Sequence, residues 1–234
     1  IGFPYLNDTG LTSPAGSKIG NNVTADHAIR EALNVGVDRQ TMCDEIFSGH
    51  ATPEYTGVDT RDYANPAAKV NDSDVNKAKQ ILKDGGWNDT NGDGIVEKNG
   101  VKASFDLYYP PKYLDRQSLS TVFAEQAKEI GIEVNLVGAD WDTIYANMYS
   151  SAALMQQTSP DPYKSIYQQY HSKEADGFYM NPNLYNNTDS DKLMDDAMHS
   201  SDLNAANTLW AQSAYVNDGG WGPAGDAPFA WLVN

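Results

Sequence analysis

Between Phe105 and Pro162 short apolar runs of period two alternate with runs of helical spacing, and this ladder constrains the fold more than any other stretch. Phe105, Leu107 and Tyr109 alternate with Ser104, Asp106 and Tyr108, the pattern of a half-buried strand over 103–109 that Pro110 and Pro111 end. Leu119, Val122, Phe123, Gln126, Ala127 and Ile130 then recur at helical spacing up to Gly131, a residue suited to the left-handed end of a helix. Ile132, Val134 and Leu136 alternate again as a second strand. Trp141, Ile144, Tyr145 and Met148 make a short amphipathic helix with Asp140 as its cap, and residues 152–155 supply a third apolar run. Crossovers between parallel strands are nearly always right-handed, so this β-α-β-α-β order predicts an α/β fold with one parallel sheet flanked by helices. Ligands of open sheets sit beyond the carboxyl ends of the strands. Here those ends are Tyr109-Pro110, Val137-Gly138 and residues 155–159.

Helices are expected on both sides of the ladder. Thr24 is the expected cap of one carrying Ile29, Ala32, Leu33 and Val37, Asp38 of one carrying Met42, Ile46 and Phe47, and Asp74 of one carrying Val75, Ala78, Ile81 and Leu82. Residues 52–71 are rich in Pro, Gly, Asp and Asn without periodicity and read as a long surface connection. Two later helices run through Leu193, Met194 and Ala197 and through Ala205, Leu209 and Ser213, with Asp189 and Asp202 as caps, before a loop over 215–228. The expected organisation is a helical and loop segment over 1–102, the βαβαβ core over 103–160, and helices with a return strand over 161–234. The apolar start at Ile1 and the strand-like close at residues 229–234 read as the edges of a piece of a longer protein.

Charge narrows the partners. With 32 acidic and 16 basic side chains the net charge is −16, and no stretch clusters Lys and Arg, so nucleic acid and anionic membrane surfaces are poor partners. The one cysteine, Cys43, lies between Met42 and Ile46 and reads as a buried, inert thiol. No apolar run is long enough to span a bilayer.

Candidate sites are few. Asp89-Thr90-Asn91-Gly92-Asp93-Gly94 fits the opening of a calcium loop, with Asp89, Asn91 and Asp93 as oxygen ligands at positions one, three and five and Gly at six. Position twelve is Gly100 instead of the bidentate Glu, and Glu97 substitutes only in part, so a tight Asx-rich turn is the preferred reading and any calcium is structural. His27, His50, His171 and His199 show no helical pair spacing for a metal. No nucleophile with a neighbouring base, no Gly-x-Ser-x-Gly stretch and no phosphate-binding glycine loop is evident, so an enzyme is not expected. Met155, Gln156, Gln157, Thr158 and Ser159 are the candidate cleft lining, because amide and hydroxyl groups pair with both N–H and C=O of a polar solute. Tyr109, with Tyr108 and Tyr113, is a candidate aromatic wall.

Several stretches, in order, resemble one family. Residues 23–39, with Asp26, Ile29, Arg30, Ala32, Leu33, Asp38 and Arg39, look like the D-x-x-I/V-R-x-A-L-x-x-A-I-D-R stretch of the extracytoplasmic solute-binding proteins of ABC transporters, in the branch that includes peptide and nickel binders. Residues 49–53 resemble its G-x-A-x-P segment, 74–87 its D-x-x-K-A-x-x-L-L-x-x-G-W, 126–134 its Q-x-x-x-I-G-I-x-V, and 159–163 its P-D-P turn, which brings in Asp161. The stretch from Tyr185 resembles Y-x-N-x-x-x-D and makes Tyr185 a candidate near the hinge. The resemblance implies the type II periplasmic-binding-protein fold, of which this chain is the carboxyl-terminal lobe, and a non-enzymatic, monomeric component of an ABC importer. It implies further that the component lies outside the cytoplasm, as a cell-surface lipoprotein or a periplasmic protein. Its partners are the permease subunits and the missing amino-terminal lobe, its ligand a short oligopeptide or similar polar solute, and it carries no cofactor. The alternative is a nickel or nickel-chelator binder, for which His171 is the candidate metal ligand. Relatives carry Trp, as G-W-G, where this chain has Gln156 and Gln157. A hydrolase on the same scaffold is the alternative of another class.

Overall fold

A computed structural model of the chain describes residues 1–13, 16–156, 159–175 and 180–234. The first helices are set by their caps and apolar faces. In α1 (His27–Gly36) the Asp26 carboxylate accepts the Ala28 N–H, and Ile29, Ala32 and Leu33 face inward. In α2 (Arg39–Phe47) Asp38 accepts from Thr41, and in α3 (Val75–Asp84) Asp74 accepts from Lys77. Thr24 is not the first cap, because its hydroxyl donates to the Pro4 carbonyl while Asp26 reaches the free N–H. A hairpin of β1 (Glu97–Lys98) and β2 (Val101–Lys102) turns through Asn99 and Gly100, both at positive φ, and leads into the sheet.

The sheet consists of β3 (Ser104–Tyr109), β4 (Glu133–Gly138) and β5 (Ala152–Ala153), connected by α4 (Leu114–Glu129) and α5 (Trp141–Asn147). All pairings are parallel and the spatial order is β4-β3-β5, as the ladder predicts. β3 is central and shows the alternation, with Phe105, Leu107 and Tyr109 buried. β4 departs from the expectation. It is the outer strand of the three, so Leu136 is 37% exposed instead of alternating into a core. Beyond β5 the order continues through chain segments distant in sequence. Gly2 bridges Ala153 and Phe229, and Pro53 bridges Val233.

After a π-helical turn (Tyr163–Tyr167) that runs into the short α6 (Gln168–Tyr170), α7 (Thr188–His199) and α8 (Leu203–Ser213) pack together. Asn187, not Asp189, caps α7, and α8 buries Ala206, Trp210 and Ser213 instead of the Ala205 and Leu209 stripe. Two main cores result. One gathers the aliphatic faces of α1, α3, α4 and the sheet; the other gathers Tyr170, Tyr185, Trp210, Trp221 and Phe229. Residues 52–71 are not a surface connection, because Glu54, Thr56, Val58, Tyr63 and Ala68 are buried. Cys43 is buried and its thiol pKa is raised, by burial first and then by Asp44.

Two buried arginines hold the segments in place. Arg39 donates through Nε to the Glu54 and Trp231 carbonyls, through Nη1 to the Asn34 carbonyl and Asp72 Oδ2, and through Nη2 to Asn34 Oδ1. Arg30 donates to the carbonyls of Thr24, Ala25 and Asp226. A guanidinium out of water is tolerable only when its N–H groups are matched in this way. These clasps tie α1 and α2 to the loop at 54 and to the last segment of the chain.

Candidate functional site

A groove of about 440 Å³ opens where residues 154–156 leave the carboxyl end of β5. One wall is Leu154, Met155 and Gln156 with Asp115, Arg116 and Leu119 from the first turns of α4. The facing wall is the loop carrying Glu54, Gly57, Thr60 and Arg61, with Trp231, Leu232 and Val233 beside it. Arg39 fixes this second wall from behind, by bonding the Glu54 and Trp231 carbonyls together.

Each wall carries a polar atom left over. α4 begins at Leu114 with no side-chain cap from Tyr113, so its first N–H groups have no side-chain acceptor from the cap residue. The Arg116 guanidinium lies between the rings of Tyr113 and Trp141, at 4.8 and 5.2 Å, and Nη2 donates to Gln156 Oε1. Among the described residues its Nη1 is buried without a hydrogen-bond partner. Glu54, also in the lining, is 4% exposed; its Oε1 accepts the Asp59 N–H at 3.0 Å, and its Oε2 is buried without a partner among the described residues. Burial pushes the Glu54 carboxyl above its ordinary range. Trp231 donates from Nε1 to the Tyr170 hydroxyl at 3.0 Å, and its indole lies against Gly57. Gly57 has φ +76°, and a Cβ there would come within 2.7 Å of the indole, so the wall requires glycine. The groove lining includes Arg116 and Glu54 together with the apolar side chains of Leu119, Leu154, Met155, Trp231 and Leu232. That suits binding a polar chain, and histidine and cysteine are absent from the lining among the described residues.

The sequence-derived candidates divide. Met155, Gln156 and Ser159 line the groove, and Gln157 and Thr158 lie outside the described residues. Asp161, Tyr109 and Tyr185 are not among the lining residues. Asp161 starts the π-helical turn, its carboxylate accepting the Tyr163 N–H. Tyr109 is buried at the end of β3. Tyr185 is fully buried and donates to Asp226 Oδ2 at 2.8 Å; burial, then that carboxylate, raises its pKa. His171 is 1% exposed in the second core, stacked on Tyr167 at 4.2 Å. Its Nδ1 accepts the Lys173 N–H and its Nε2 lies 3.4 Å from Asp195. In the 89–94 loop Asp89 accepts the Gly92 and Gly94 N–H groups, Asn91 that of Asp93, and Asp93 that of Ile95. Glu97 closes the loop by accepting from Thr90 and Asn91. This is the Asx-turn pattern, although Asp89, Asp93 and Glu97 can also bring carboxylate oxygens within 4.8 Å of one another.

Arg116, Glu54, Arg61 and Trp231 escaped the sequence reading. Arg116 had a usable signal, since it lies in the first turn of the helix that follows the central strand. Glu54 and Trp231 had none, because their place depends on pairing between residues 52–54 and 232–234.

Residues 5–177 match the family described as bacterial extracellular solute-binding proteins, family 5 (middle). Protein XP55 of Streptomyces lividans is 36% identical over 202 residues, which cover 85% of this chain and 37% of that protein. The oligopeptide-binding protein AppA of Bacillus subtilis is 32% identical over 192 residues, covering 78% of this chain and 35% of AppA. The chain thus spans little more than a third of the length of these relatives. Among solved structures, AppA in complex with a nonapeptide superposes with a TM-score of 0.75 at 30% identity, over 91% of this chain and 42% of AppA. NikZ from Campylobacter jejuni, in complex with Ni(L-His), superposes at 0.78 and 21% identity over 91% of this chain and 42% of NikZ, a likeness of fold.

Proposed function

This chain belongs to family 5 of the bacterial extracellular solute-binding proteins and has their type II periplasmic-binding-protein fold, and from that premise we propose that it serves the capture of a short oligopeptide for an ABC importer. The groove beside α4 is where this chain meets the solute. The observation that carries the reading is Arg116, which donates to the Gln156 amide and whose Nη1 has no partner among the described residues, in a groove that Glu54 also lines. A peptide backbone presents N–H and C=O groups in alternation, and its carboxylate end suits a guanidinium at a helix N-terminus. The peptide named with AppA supports the choice of solute class.

The role is non-enzymatic. The rest of the protein supplies a second lobe, the solute bridges both, and the closed population rises by the solute's preference for that state. The closed form then presents the solute to the permease subunits from outside the cytoplasm, held by a lipid anchor or free in a periplasm. This chain alone holds one side of the site, so its own affinity for a peptide is weak, on the order of millimolar.

Native mass spectrometry of the full-length protein, purified without refolding, tests this directly. The expected result is a released mass that fragments as amino acids and is lost in Arg116→Ala. A metal isotope pattern without peptide, diminished in His171→Ala, would replace peptide import with nickel uptake.

A further inference from the structure

Of the Ser159-Pro160-Asp161-Pro162 turn only Ser159 lines the groove, yet the whole turn is held as a unit. Two prolines restrict its backbone, and Pro162 also restricts Asp161 before it. Ser159 Oγ accepts the Asp161 N–H at 3.2 Å, the Asp161 carboxylate accepts the Tyr163 N–H, and the Asp161 carbonyl accepts from both the N–H and the hydroxyl of Ser165. A displacement of Pro160 therefore carries Ser159 with it. Pro160 is in turn fastened to the facing wall, because the Tyr63 hydroxyl donates to its carbonyl at 2.7 Å and lies 3.4 Å from Ser165 Oγ. Tyr63 is not itself a lining residue, but it follows closely on Thr60 and Arg61, which are. Backbone bonds from the Arg61 N–H to the Val58 carbonyl and from the Ala64 N–H to the Arg61 carbonyl make this stretch one turn. Tyr63 is 6% exposed and packs in the second core with Val58 and Ile166, so its hydroxyl is delivered from a fixed point.

We propose that Tyr63 is a positioning residue that sets the width of the groove at its Ser159 end, and through that width the side-chain size of the peptides the protein retains. The inference rests on the peptide reading above and adds to it a residue that touches no solute. While the phenol holds Pro160, a bulky side chain enters between the loop carrying Arg61 and the turn carrying Ser159 only by forcing the two apart and breaking the bond. Without the hydroxyl that separation costs less. One hydrogen bond changes selection by no more than its own net worth, which is about fivefold in a binding ratio.

The test uses full-length protein as wild type, Tyr63→Phe and Tyr185→Phe, each offered short synthetic peptides of Ala and Ser mixed equally with the same peptides carrying a single Trp at each position in turn. Occupancy is read by native mass spectrometry as the ratio of Trp-containing to Trp-free peptide. Tyr63→Phe keeps the ring in the core and removes only the hydroxyl. Tyr185→Phe removes a buried hydroxyl from the same core at a residue outside the groove lining, and so serves as the control for lost stability. The ratio should rise about fivefold over wild type in Tyr63→Phe and stay at the wild-type value in Tyr185→Phe. Because it is a ratio within one protein sample, a loss of folded protein does not imitate it. An unchanged or lower ratio in Tyr63→Phe overturns the role of Tyr63 and leaves peptide binding standing. An equal rise in both variants also overturns it, assigning the effect to a general loosening of the second core. A wild type that retains no peptide of either kind overturns the peptide reading and this inference together.

Discussion

The two main cores solve the same problem with different chemistry. Around the sheet, Ile29, Leu33, Leu107 and Phe123 project from regular helices and strands, and burial follows the period of each element. In the second core Tyr170 stacks on Trp221 at 4.5 Å and meets Phe229 and Tyr185 edge-on, and Trp221 and Phe229 come from a segment with no helix or long strand. The first core is mainly aliphatic and carries few polar tips, among them Trp87 Nε1, which is buried without a partner among the described residues. The second must satisfy a polar tip for nearly every ring: Tyr185 donates to Asp226, Trp221 to Ser213 Oγ, and Trp231 to the Tyr170 hydroxyl. Asp226 Oδ2 also accepts from Asn187 and from the Gly220 N–H, and so organises a loop that lacks regular structure. Aliphatic packing is a matter of volume, and aromatic packing here is a matter of volume and hydrogen-bond partners together.

If Arg39 joins the loop wall to the helices, Arg39→Ala should be the most costly single change. It leaves the Glu54 and Trp231 carbonyls, Asn34 and Asp72 without their donor, and a loss of about 3–5 kcal/mol in urea unfolding is expected. A loss below about 1 kcal/mol would mean the clasp is ornamental. The contrast between the cores sharpens with one change in each. Phe123→Ala removes only volume and should cost about 3–5 kcal/mol. Tyr185→Phe keeps the ring and removes one hydroxyl from Asp226, and should cost about 1–3 kcal/mol by the same measurement. Equal costs for Tyr185→Phe and a surface Tyr→Phe change would break the comparison, because the polar tips would then carry no weight.

The smallest effect is expected at the groove, which takes Leu119, Leu154 and Leu232 from the first core and Trp231 from the edge of the second. The Glu54 carboxyl is raised above 4.5, chiefly by burial, so the native state holds that proton more tightly than the unfolded chain does. Its contribution to stability is therefore complete below pH 4.5 and lost as pH rises through the folded value. Glu54→Gln should accordingly raise the melting temperature of ligand-free protein near pH 7, by about 2–4 °C for each kcal/mol gained, with the gain fading as pH falls. A gain that grows on acidification would contradict the sign.

The first core was legible and the second was not, for the same physical reason. Periodicity reports which face of an element is buried, so Phe105, Leu107 and Phe123 could be assigned from spacing alone, as could the parallel order of the strands. It says nothing about a residue whose burial depends on a distant partner. Glu54 lies in a stretch that looks like surface until residues 232–234 pair with it, and Tyr185 looks like a site residue until Asp226 is found against it. The caps at Asp38, Asp74 and Asp202 are legible in the sequence because an acid stands directly before each helix. Legibility fails where two candidates compete, at Thr24 with Asp26 and at Asp189 with Asn187. Gln156 was found because the strand-end rule points to it, and the same rule applied to the helix after β3 would have found Arg116.

A crystal structure of the full-length protein carrying the solute it retains from its cell tests the central claim most directly. The expected result is solute density along the groove with a solute oxygen about 2.7–3.2 Å from Arg116 Nη1 and the chain of the solute against Gln156. Density for the solute elsewhere, with Arg116 Nη1 meeting only protein or water, would contradict it.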